Sequence, residues 1–289
     1  MNTQETIQQP EGGAAVRSID WLGRIVCGDN TEVLSGFPDA CIDLVVTSPP
    51  YDDLRTYGGH SWNFETLAAQ LVRVLKPGGV IVWVVADKTV DGGETGTSMR
   101  QGLGLMAAGL RLHDTMIFRR KTHPLYHRRY EQEWEYMFVM SKGTPKTWNG
   151  LLRKSAQAGV VRRNAAHRNG DEIEKRGTGK ATPEMVLRGN IWEYNVGGPM
   201  AEAVAFEHPA IFPEALAKDH IASWSNPGDV ILDPFSGSGT TCKAAKELNR
   251  NFVGIEVEPK YCAIAEARLS QDVLQLETCA MRPNEKLSD

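Results

Sequence analysis

Short apolar runs of strand length alternate with amphipathic segments of helix length in both halves of the chain. The apolar runs predict strands at residues 24–28, 42–47, 79–86, 115–119, 134–140, 230–233 and 252–256. Apolar residues at helical spacing predict helices at residues 64–75, 99–110, 240–248 and 261–269. Because strands that alternate with helices form a parallel sheet covered on both faces, the pattern predicts an α/β fold with a seven-stranded, mostly parallel sheet.

This alternation stops between residues 144 and 190, where Gly, Asn, Arg and Lys interrupt any strand or helix period. We interpret this segment as an irregular insert in a single domain of residues 19–289, preceded by a polar tail of residues 1–18. No apolar run approaches the roughly 20 residues of a membrane span, and the start lacks the apolar core of a secretory signal, so a cytoplasmic location is expected. The five scattered cysteines predict neither a metal site nor disulfides.

Basic residues are concentrated in the middle of a chain that is slightly acidic as a whole. The formal charge of the chain is −4 at pH 7. Residues 119–188 contain sixteen Lys or Arg and seven Asp or Glu, so this segment carries +9 and the remainder −13. Such a segment is either a solvated surface or a region that contacts an anionic partner such as nucleic acid.

A glycine turn (residues 234–239, PFSGSG) lies between a predicted strand and a predicted helix. Gly237 and Gly239 allow the backbone to turn tightly and to approach a ligand, and the helix that begins near Thr240 offers free amides and the positive end of its dipole. The next predicted strand ends at Glu256, about twenty residues further on, where a carboxylate can accept hydrogen bonds from a ribose diol. These features predict a site for a cofactor that contains adenosine.

The glycine turn departs from the dinucleotide-binding pattern GxGxxG, because Cys242 stands where a third glycine or alanine is required. This departure argues against a redox enzyme. Asp233 precedes the turn and would repel a pyrophosphate, but its carboxylate can hold the ammonium group of S-adenosylmethionine directly or through water. The alternative is that Asp233 only caps the local turn.

A second candidate loop, Ser48-Pro49-Pro50-Tyr51, follows the apolar run of residues 42–47. It should lie at the carboxyl end of a strand, the edge at which open α/β sheets bind ligands. Two prolines fix φ and remove two backbone donors, so the adjoining carbonyls are held in place as acceptors. The alternative is an ordinary proline turn followed by a core tyrosine.

The residue types of this loop suit the methylation of an exocyclic amino group on a nucleobase. The nitrogen of such a group is a poor nucleophile because its lone pair is delocalised into the ring. Hydrogen bonds from its two protons to the Ser48 hydroxyl oxygen and to a proline carbonyl would favour a more nucleophilic geometry. Tyr51 offers a flat face on which a base extracted from a duplex could stack. The predicted catalytic residues are therefore Ser48, Pro49, Pro50 and Tyr51.

The motifs and their order resemble the DNA amino-methyltransferases that produce N6-methyladenine or N4-methylcytosine, in the permuted β arrangement. SPPY is followed by VLKPGG, EWEYMFVMSKG, the insert, HPAIFPEAL, and then DPFSGSGTT with GIEVEPKYCAIAEARL. The resemblance spans residues 24–270. It implies S-adenosylmethionine as the cofactor and the methyltransferase fold that uses it, with the strand before the glycine turn beside the strand before SPPY.

The resemblance also assigns residues to the cofactor. Its methionine side would be lined by residues around the glycine turn, namely Asp233, Phe235, Gly237, Gly239 and Thr240. Glu256 would hold the ribose and Asp29 would meet the adenine ring, although Asp29 also suits the N-cap of a helix that begins at Asn30. A motif that closes over the cofactor would contribute His208, Phe212 and Pro213.

In the family that this chain resembles, the segment before HPAIFPEAL carries target recognition, and residues 144–190 occupy that position. Double-stranded DNA is therefore the expected partner. Phosphate contacts are expected of Arg119, Arg120, Lys121, Arg128 and Arg129. Contacts to base edges are open to Arg162, Arg163, Asn164, His167, Arg168 and Asn169, although any single arginine could instead be a phosphate contact or plain surface.

Several alternatives stay open at the level of the sequence. Ser48 in front of the two prolines leans toward cytosine N4, but adenine N6 presents the same donors. An RNA base methyltransferase and a non-catalytic DNA-binding relic are the alternative functions. Tyr136 or Phe138 suits either a position near the flipped base or the core of a strand. The resemblance implies a homodimer, and a cognate restriction enzyme is a candidate partner.

Overall fold

The computed structural model describes residues 21–50, 62–120, 130–161, 180–195 and 212–270, and the backbone of residues 166–169 and 172–175. The strands within these ranges are β1 (Arg24–Cys27), β2 (Ile42–Thr47), β3 (Leu75–Val85), β4 (Thr89–Val90), β5 (Gly93–Glu94), β6 (Arg111–Arg119), β7 (Trp134–Ser141), β8 (Leu152–Lys154), β9 (Ala166–Asn169), β10 (Glu172–Lys175), β11 (Met185–Leu187), β12 (Ile191–Glu193), β13 (Val230–Asp233) and β14 (Asn251–Glu256). The helices are α1 (Asn30–Ser35), α2 (Phe64–Val74), α3 (Thr97–Ala107), α4 (Glu214–Trp224), α5 (Thr240–Glu247) and α6 (Pro259–Ser270).

The main sheet has the strand order β1-β14-β13-β2-β3-β7-β6-β12 among the described residues. All neighbouring pairs are parallel except the two that β7 makes with β3 and β6. The predicted α/β fold with a mostly parallel sheet is thus confirmed, but the sheet has eight strands rather than seven. The additional strand, β12, has three residues of which only Trp192 is buried, so it leaves no apolar run in the sequence.

Helices cover both faces of the sheet, which buries the two sides of its central strands. On one face α4, α5 and α6 contribute the buried residues Leu216, Ala245 and Ala265. On the other face α1, α2 and α3 contribute Leu34, Leu71 and Leu105. Strands buried on both faces have continuous apolar runs, as residues 44–46 of β2 and 80–85 of β3 do, and this is why their positions could be predicted from the sequence.

The structure corrects the bounds of several predicted elements and adds one helix. The helix predicted at residues 99–110 begins at Thr97, because Asp87 accepts hydrogen bonds from the Ser98 amide at 2.9 Å and hydroxyl at 2.5 Å. It ends before Gly109, whose φ of +108° is unfavourable for a helix. The strand predicted at 115–119 begins at Arg111, since β7 pairs with it that far. Helix α4 was not predicted at all, although its buried residues recur at helical spacing.

The prediction of no strand in residues 144–190 is wrong for the described part of that segment. β8 pairs antiparallel with β11, an antiparallel bridge joins Val161 to Ala181, and β9 pairs antiparallel with β10. We call residues 152–187 the arm, because its two halves run antiparallel. The strands of the arm have three or four residues, and those of β8 and β11 are largely exposed, so no apolar alternation marks them in the sequence.

Candidate functional site

The strand order brings two distant loops together at the carboxyl edge of the sheet. β2 and β13 are parallel neighbours, with Leu44 opposite Ile231 and Val45 opposite Leu232. The Ser48 loop and the glycine turn follow the ends of these two strands. The Thr47 hydroxyl donates a hydrogen bond of 2.7 Å to Asp233 Oδ1, so the bases of the two loops are directly linked. Sequence reasoning missed Thr47, because its role depends on a partner from the other end of the chain.

Asp233 is a buried carboxylate at the entrance to the glycine turn, with 5% of its surface exposed. Its Oδ1 also accepts from the Phe235 amide at 3.1 Å. Burial raises the pKa of Asp233 to about 6, and hydrogen bonds from Thr47, Thr241 and the Phe235 amide oppose the increase. Asp233 therefore does cap the local turn. Burial also disfavours the charged form of its carboxylate, and a bound cation would stabilise that form.

The glycine turn is shaped by close packing. Gly237 and Gly239 have φ values of +51° and +79°, a region that side chains rarely allow. A Cβ on Gly239 would lie 2.8 Å from Cβ of Ala265, and a Cβ on Gly254, beneath the turn, would lie 2.5 Å from Ser236 Oγ. The turn is thus as close to α6 and β14 as glycine permits, and it leads directly into α5.

Glu256 ends β14 and bridges that strand to the glycine turn. Its Oε2 accepts from the Gly237 amide at 2.8 Å, and its Oε1 accepts from the Glu258 amide at 2.9 Å. Burial raises the pKa of Glu256, and the backbone hydrogen bonds oppose this increase. Each oxygen has a second lone pair, so the carboxylate can still accept from the hydroxyls of a ribose.

Asp29 lies on the neighbouring strand end and caps α1. Its Oδ1 accepts from the amides of Thr31 at 2.9 Å and Glu32 at 3.0 Å. The N-cap considered from the sequence is therefore present, while the contact of Asp29 with adenine stays a prediction. The adjacent Asn30 is buried and donates to the Pro234 carbonyl at 3.2 Å, which ties α1 to the start of the glycine turn.

The catalytic loop is described as far as Pro50. Pro49 is buried, whereas Ser48 and Pro50 are partly accessible at the end of β2. Tyr51 lies outside the described residues, as does His208 of the closing motif. Phe212 packs against the core, and Pro213, with a φ of −64°, immediately precedes α4.

Aromatic side chains form a wall beside the two loops that the sequence did not indicate. Trp62 meets Phe235 edge to face with 5.0 Å between ring centroids, and Trp83 lies 6.4 Å from Phe235. Trp83 is fully buried and its Nε1 donates to Gln101 at 2.8 Å, so the wall is firmly anchored. Phe235, which the resemblance assigned to the cofactor, therefore belongs to a rigid apolar cluster.

A second aromatic row follows alternate positions of β7. Trp134 and Tyr136 have ring centroids 4.7 Å apart, and Tyr136 stacks on Phe138 at 5.0 Å. Phe138 is buried in the core, whereas Trp134 is exposed at the beginning of the strand. Because β7 is antiparallel to β3, with Tyr136 opposite Val85, this exposed end lies at the carboxyl edge of the parallel strands. The core interpretation holds for Phe138.

The structure describes only some of the residues predicted to contact DNA phosphates or base edges. Arg119 pairs with Glu133 at 2.9 Å and Arg120 with Glu135 at 3.2 Å, so each charge has an acidic neighbour. Arg168 lies on β9, of which the backbone alone is described. Outside the described residues lie Lys121, Arg128, Arg129, Arg162, Arg163 and Asn164.

Residues that flank the arm on both sides are hydrogen-bonded to α4 or its C-cap. Before the start of the arm, Asn149 Nδ2 donates to the carbonyls of Ala222 and Ser225 at 3.0 and 3.1 Å. At its end lies a group that we call the clasp, formed by Arg188, Tyr194 and Asp219. Arg188 Nη1 and the Tyr194 hydroxyl each donate to Asp219 Oδ2 at 2.6 Å, and burial together with the latter hydrogen bond raises the pKa of Tyr194.

The described residues contain neither a candidate metal centre nor a helix that could span a membrane. No group of three or more His, Cys, Asp and Glu side chains is arranged to hold a metal ion in these ranges. No helix there has the length and apolar character needed to cross a membrane.

Comparison with known proteins gives consistent matches. Residues 42–267 match the family described as DNA methylase. The chain is 48% identical over 242 residues to the orphan methyltransferase M.BamHII of Bacillus amyloliquefaciens, covering 82% of this chain and 91% of that one. It is 32% identical to the type II methyltransferase M.BglII of Bacillus subtilis, covering 86% of this chain and 69% of that one.

Among solved structures, the fold is similar to TTHA0409 of Thermus thermophilus, which is described as a DNA modification methylase and was solved in complex with S-adenosyl-L-methionine. The TM-score is 0.57 at 26% identity, and the match covers 85% of this chain and 94% of that one.

Proposed function

We propose that this chain, which belongs to the family of DNA methylases that modify adenine N6 or cytosine N4, methylates cytosine N4 within a specific sequence of double-stranded DNA. It is an enzyme that transfers a methyl group from S-adenosylmethionine to an exocyclic amino group of DNA. The observation that supports the site best is the junction of the Ser48 loop and the glycine turn through Thr47 and Asp233.

The described residues fit S-adenosylmethionine, which supplies an electrophilic methyl group on a sulfonium when it is bound. Gly237 and Gly239 let the backbone approach the ligand, and α5 directs its first amides toward an anionic group such as a carboxylate. Asp233 would hold the ammonium group, Glu256 the ribose hydroxyls, and Asp29 the adenine. Phe235 would pack against the methionine side, with the aromatic wall behind it.

The catalytic loop would act on the amino group of the flipped base. Ser48 and a carbonyl of Pro49 or Pro50 would accept hydrogen bonds from its two protons, so that the nitrogen lone pair points toward the methyl carbon. Tyr51 would stack on the base. Attack by the nitrogen would form the N–C bond as the S–C bond breaks, and the surplus proton of the nitrogen would pass to water. Phe212 and Pro213, with His208, would close the cofactor side.

The base can be identified by digesting methylated DNA to nucleosides. Plasmid DNA incubated with enzyme and S-adenosylmethionine is expected to yield N4-methyldeoxycytidine by mass spectrometry, and N6-methyldeoxyadenosine would contradict the proposal for cytosine. RNA of the same sequence serves as the second substrate and is expected to stay unmethylated. Modification-sensitive sequencing of the same DNA gives the recognition sequence.

We propose that the arm, within residues 144–190 of a single catalytic domain, provides target recognition. A two-stranded antiparallel ribbon has the width that the major groove of DNA admits, and β9 and β10 form such a ribbon at the far end of the arm. Alternate strand positions share a face, so Asn169, opposite Glu172, and His167, opposite Glu174, occupy one face of the ribbon. The other face is occupied by Ala166, Arg168, Ile173 and Lys175.

If the arm reads DNA, its attachment to α4 should determine how well DNA is bound. Arg188→Met removes the clasp and the cation that lies 4.5 Å above the Trp192 ring. We expect KM for DNA to rise about tenfold, because an ion pair and a cation–π contact that orient the arm are lost. The dissociation constant of S-adenosylmethionine should change by less than twofold, as measured by isothermal titration calorimetry.

The variant Asp219→Asn distinguishes two explanations of the Arg188→Met result, which are loss of the clasp and loss of a direct contact between Arg188 and a DNA phosphate. This variant weakens the ion pair but leaves the positive charge of the protein in place. A similar rise in KM for both variants supports the clasp, whereas a normal KM for Asp219→Asn would assign the effect of Arg188 to DNA phosphate and contradict the attachment model.

The oligomeric state of the protein, its partner in function and its location in the cell are also proposals. A homodimer is expected and can be tested by light scattering of the purified protein. A cognate restriction enzyme is proposed as a partner in function, which the name of M.BglII as a type II methyltransferase supports, whereas the name of M.BamHII as an orphan methyltransferase supports an enzyme that acts alone. A cytoplasmic location follows from the DNA substrate. The cell's own DNA should then resist the cognate nuclease when this protein is expressed.

A further inference from the structure

Helix α6 is packed directly against the glycine turn. Ala265 is the residue that a Cβ on Gly239 would strike, at 2.8 Å. Arg268 lies three residues further along α6 and therefore on the same helix face. It has 3% of its surface exposed, which is rare for an arginine. A cation is thus buried immediately behind the turn.

Arg268 donates hydrogen bonds to the residues on both sides of Gly239. Its Nη1 donates to the Ser238 carbonyl at 2.5 Å, to Ser238 Oγ at 3.0 Å and to Thr240 Oγ1 at 3.2 Å. The Gly239 amide donates to the Ser236 carbonyl at 2.8 Å. The planar peptide between Ser238 and Gly239 is therefore held at its oxygen and at its nitrogen, so it cannot rotate without breaking two hydrogen bonds.

The rest of the turn is held from the opposite side by β14. The Ser236 amide donates to the Ile255 carbonyl at 2.9 Å, and the Gly237 amide donates to Glu256 at 2.8 Å. These contacts secure the first half of the turn, and Arg268 secures the second half, where α5 begins at Thr240. Gly239 is the N-cap of α5 and offers no side chain to fix the first helical turn.

We propose that Arg268 is a positioning residue for cofactor binding, a role that rests on the proposed assignment of the glycine turn to S-adenosylmethionine. It fixes the direction of the free amides at the start of α5 and adds a buried positive charge behind them. Both effects favour an anionic group in front of the turn, which in S-adenosylmethionine is the carboxylate of the methionine part.

The test is the affinity of the purified full chain for S-adenosylmethionine, measured by isothermal titration calorimetry. Arg268→Met should raise the dissociation constant at least tenfold, which corresponds to about 1.4 kcal/mol. Arg268→Lys keeps the charge and one donor and should recover part of that loss. KM for DNA at saturating cofactor should stay within twofold of the wild type for both variants.

Arg250→Met is the matched control. Arg250 also holds loop backbone, since its Nη2 donates to the Ser225 carbonyl at 2.7 Å, but it precedes β14 and lies at the opposite edge of the sheet. This control should lower the melting temperature without changing the cofactor affinity. Equal cofactor affinities for Arg268→Lys, Arg268→Met and the wild type would overturn the proposal. If Arg268→Met does not fold, a wild-type affinity in Arg268→Lys together with a wild-type cofactor-induced thermal shift would also overturn it.

A variant of Asp233 distinguishes a failure of the role proposed for Arg268 from a failure of the assignment of the glycine turn to the cofactor. If Asp233→Asn loses affinity and the Arg268 variants do not, the glycine turn binds the cofactor without help from Arg268. If neither position affects affinity, the assignment of the glycine turn itself is wrong.

Discussion

Replacing Asp233 by Asn is expected to weaken the binding of S-adenosylmethionine about 100-fold and to make the free protein more stable. The amide keeps the shape of the side chain and an oxygen that can accept from Thr47, but it removes the negative charge proposed to face the ammonium group. Loss of one partner of a buried ion pair costs about 3 kcal/mol or more, which is the basis for the expected loss of affinity. Calorimetry measures the affinity and thermal unfolding measures the stability.

The gain in stability follows from the pKa of Asp233. Its value of about 6 in the folded chain lies above the 3.8 of an unperturbed aspartate. The contribution of Asp233 to the free energy of unfolding is thus greatest below pH 3.8 and is lost as pH rises through 6. At pH 7.5 the buried carboxylate lowers stability by up to about 3 kcal/mol, a penalty that Asn removes.

Asp43→Asn is the matched control for Asp233→Asn. Asp43 lies on β2, accepts from the β13 amide of Val230 at 2.9 Å and pairs with Lys76 at 2.6 Å. The same chemical change therefore affects the same pair of strands at the opposite edge of the sheet. It should leave cofactor affinity unchanged. An affinity of Asp233→Asn within threefold of the wild type would show that the ammonium group is held elsewhere.

The affinity of the wild type for S-adenosylmethionine should also depend on pH. As pH falls through 6, Asp233 takes up a proton and can no longer attract a cation, so affinity should fall toward tenfold per pH unit. Calorimetry between pH 5 and 8 measures this slope. The slope should be absent in Asp233→Asn, and a persistent slope would assign the titration to a different group.

Replacing Ser48 by Ala is expected to lower kcat about 100-fold and to leave cofactor affinity within twofold of the wild type. The Ser48 hydroxyl is proposed to accept a hydrogen bond from the target amino group that strengthens as the nitrogen becomes nucleophilic, so its loss affects the chemical step. Incorporation of labelled methyl into duplex DNA under single-turnover conditions measures the rate. The control is Ser141→Ala, which removes a buried hydroxyl that donates to the Gly143 carbonyl far from the loop. A normal single-turnover rate in Ser48→Ala would shift activation of the amino group to the proline carbonyls.

The central fold could be predicted because burial on both faces produces continuous apolar runs. β2 and β13 have the predicted bounds, and the order of the motifs implied that they are neighbours. The arm could not be predicted, since strands such as β8 and β11 have only three residues each and lie largely in solvent. The two halves of the arm pair through backbone hydrogen bonds such as that from the Thr182 amide to the Val160 carbonyl, which any residue types can make.

The candidate site was predicted in its loops but not in the residues that support them. Asp233, Glu256 and the glycines belong to a local pattern of strand, turn and helix, which the sequence contains in full. Thr47 and Asn30 are ordinary polar residues whose partners, Asp233 and Pro234, come from far along the chain. Arg268 left a signal that could have been used, because it shares the buried face of α6 with Ala265, where an unpaired charge would be costly.

The hydrogen bond between Thr47 and Asp233 also sets the earliest point during synthesis at which the two loops can join. Its partners are 186 residues apart, so at about 5–20 residues per second the ribosome adds Asp233 roughly 10–40 s after Thr47. Until then β2 has an open edge where β13 will pair, and an open edge invites contact with other nascent chains. A nascent chain therefore cannot modify DNA before most of it has been translated, and slow translation should reduce the yield of native enzyme by prolonging this exposure.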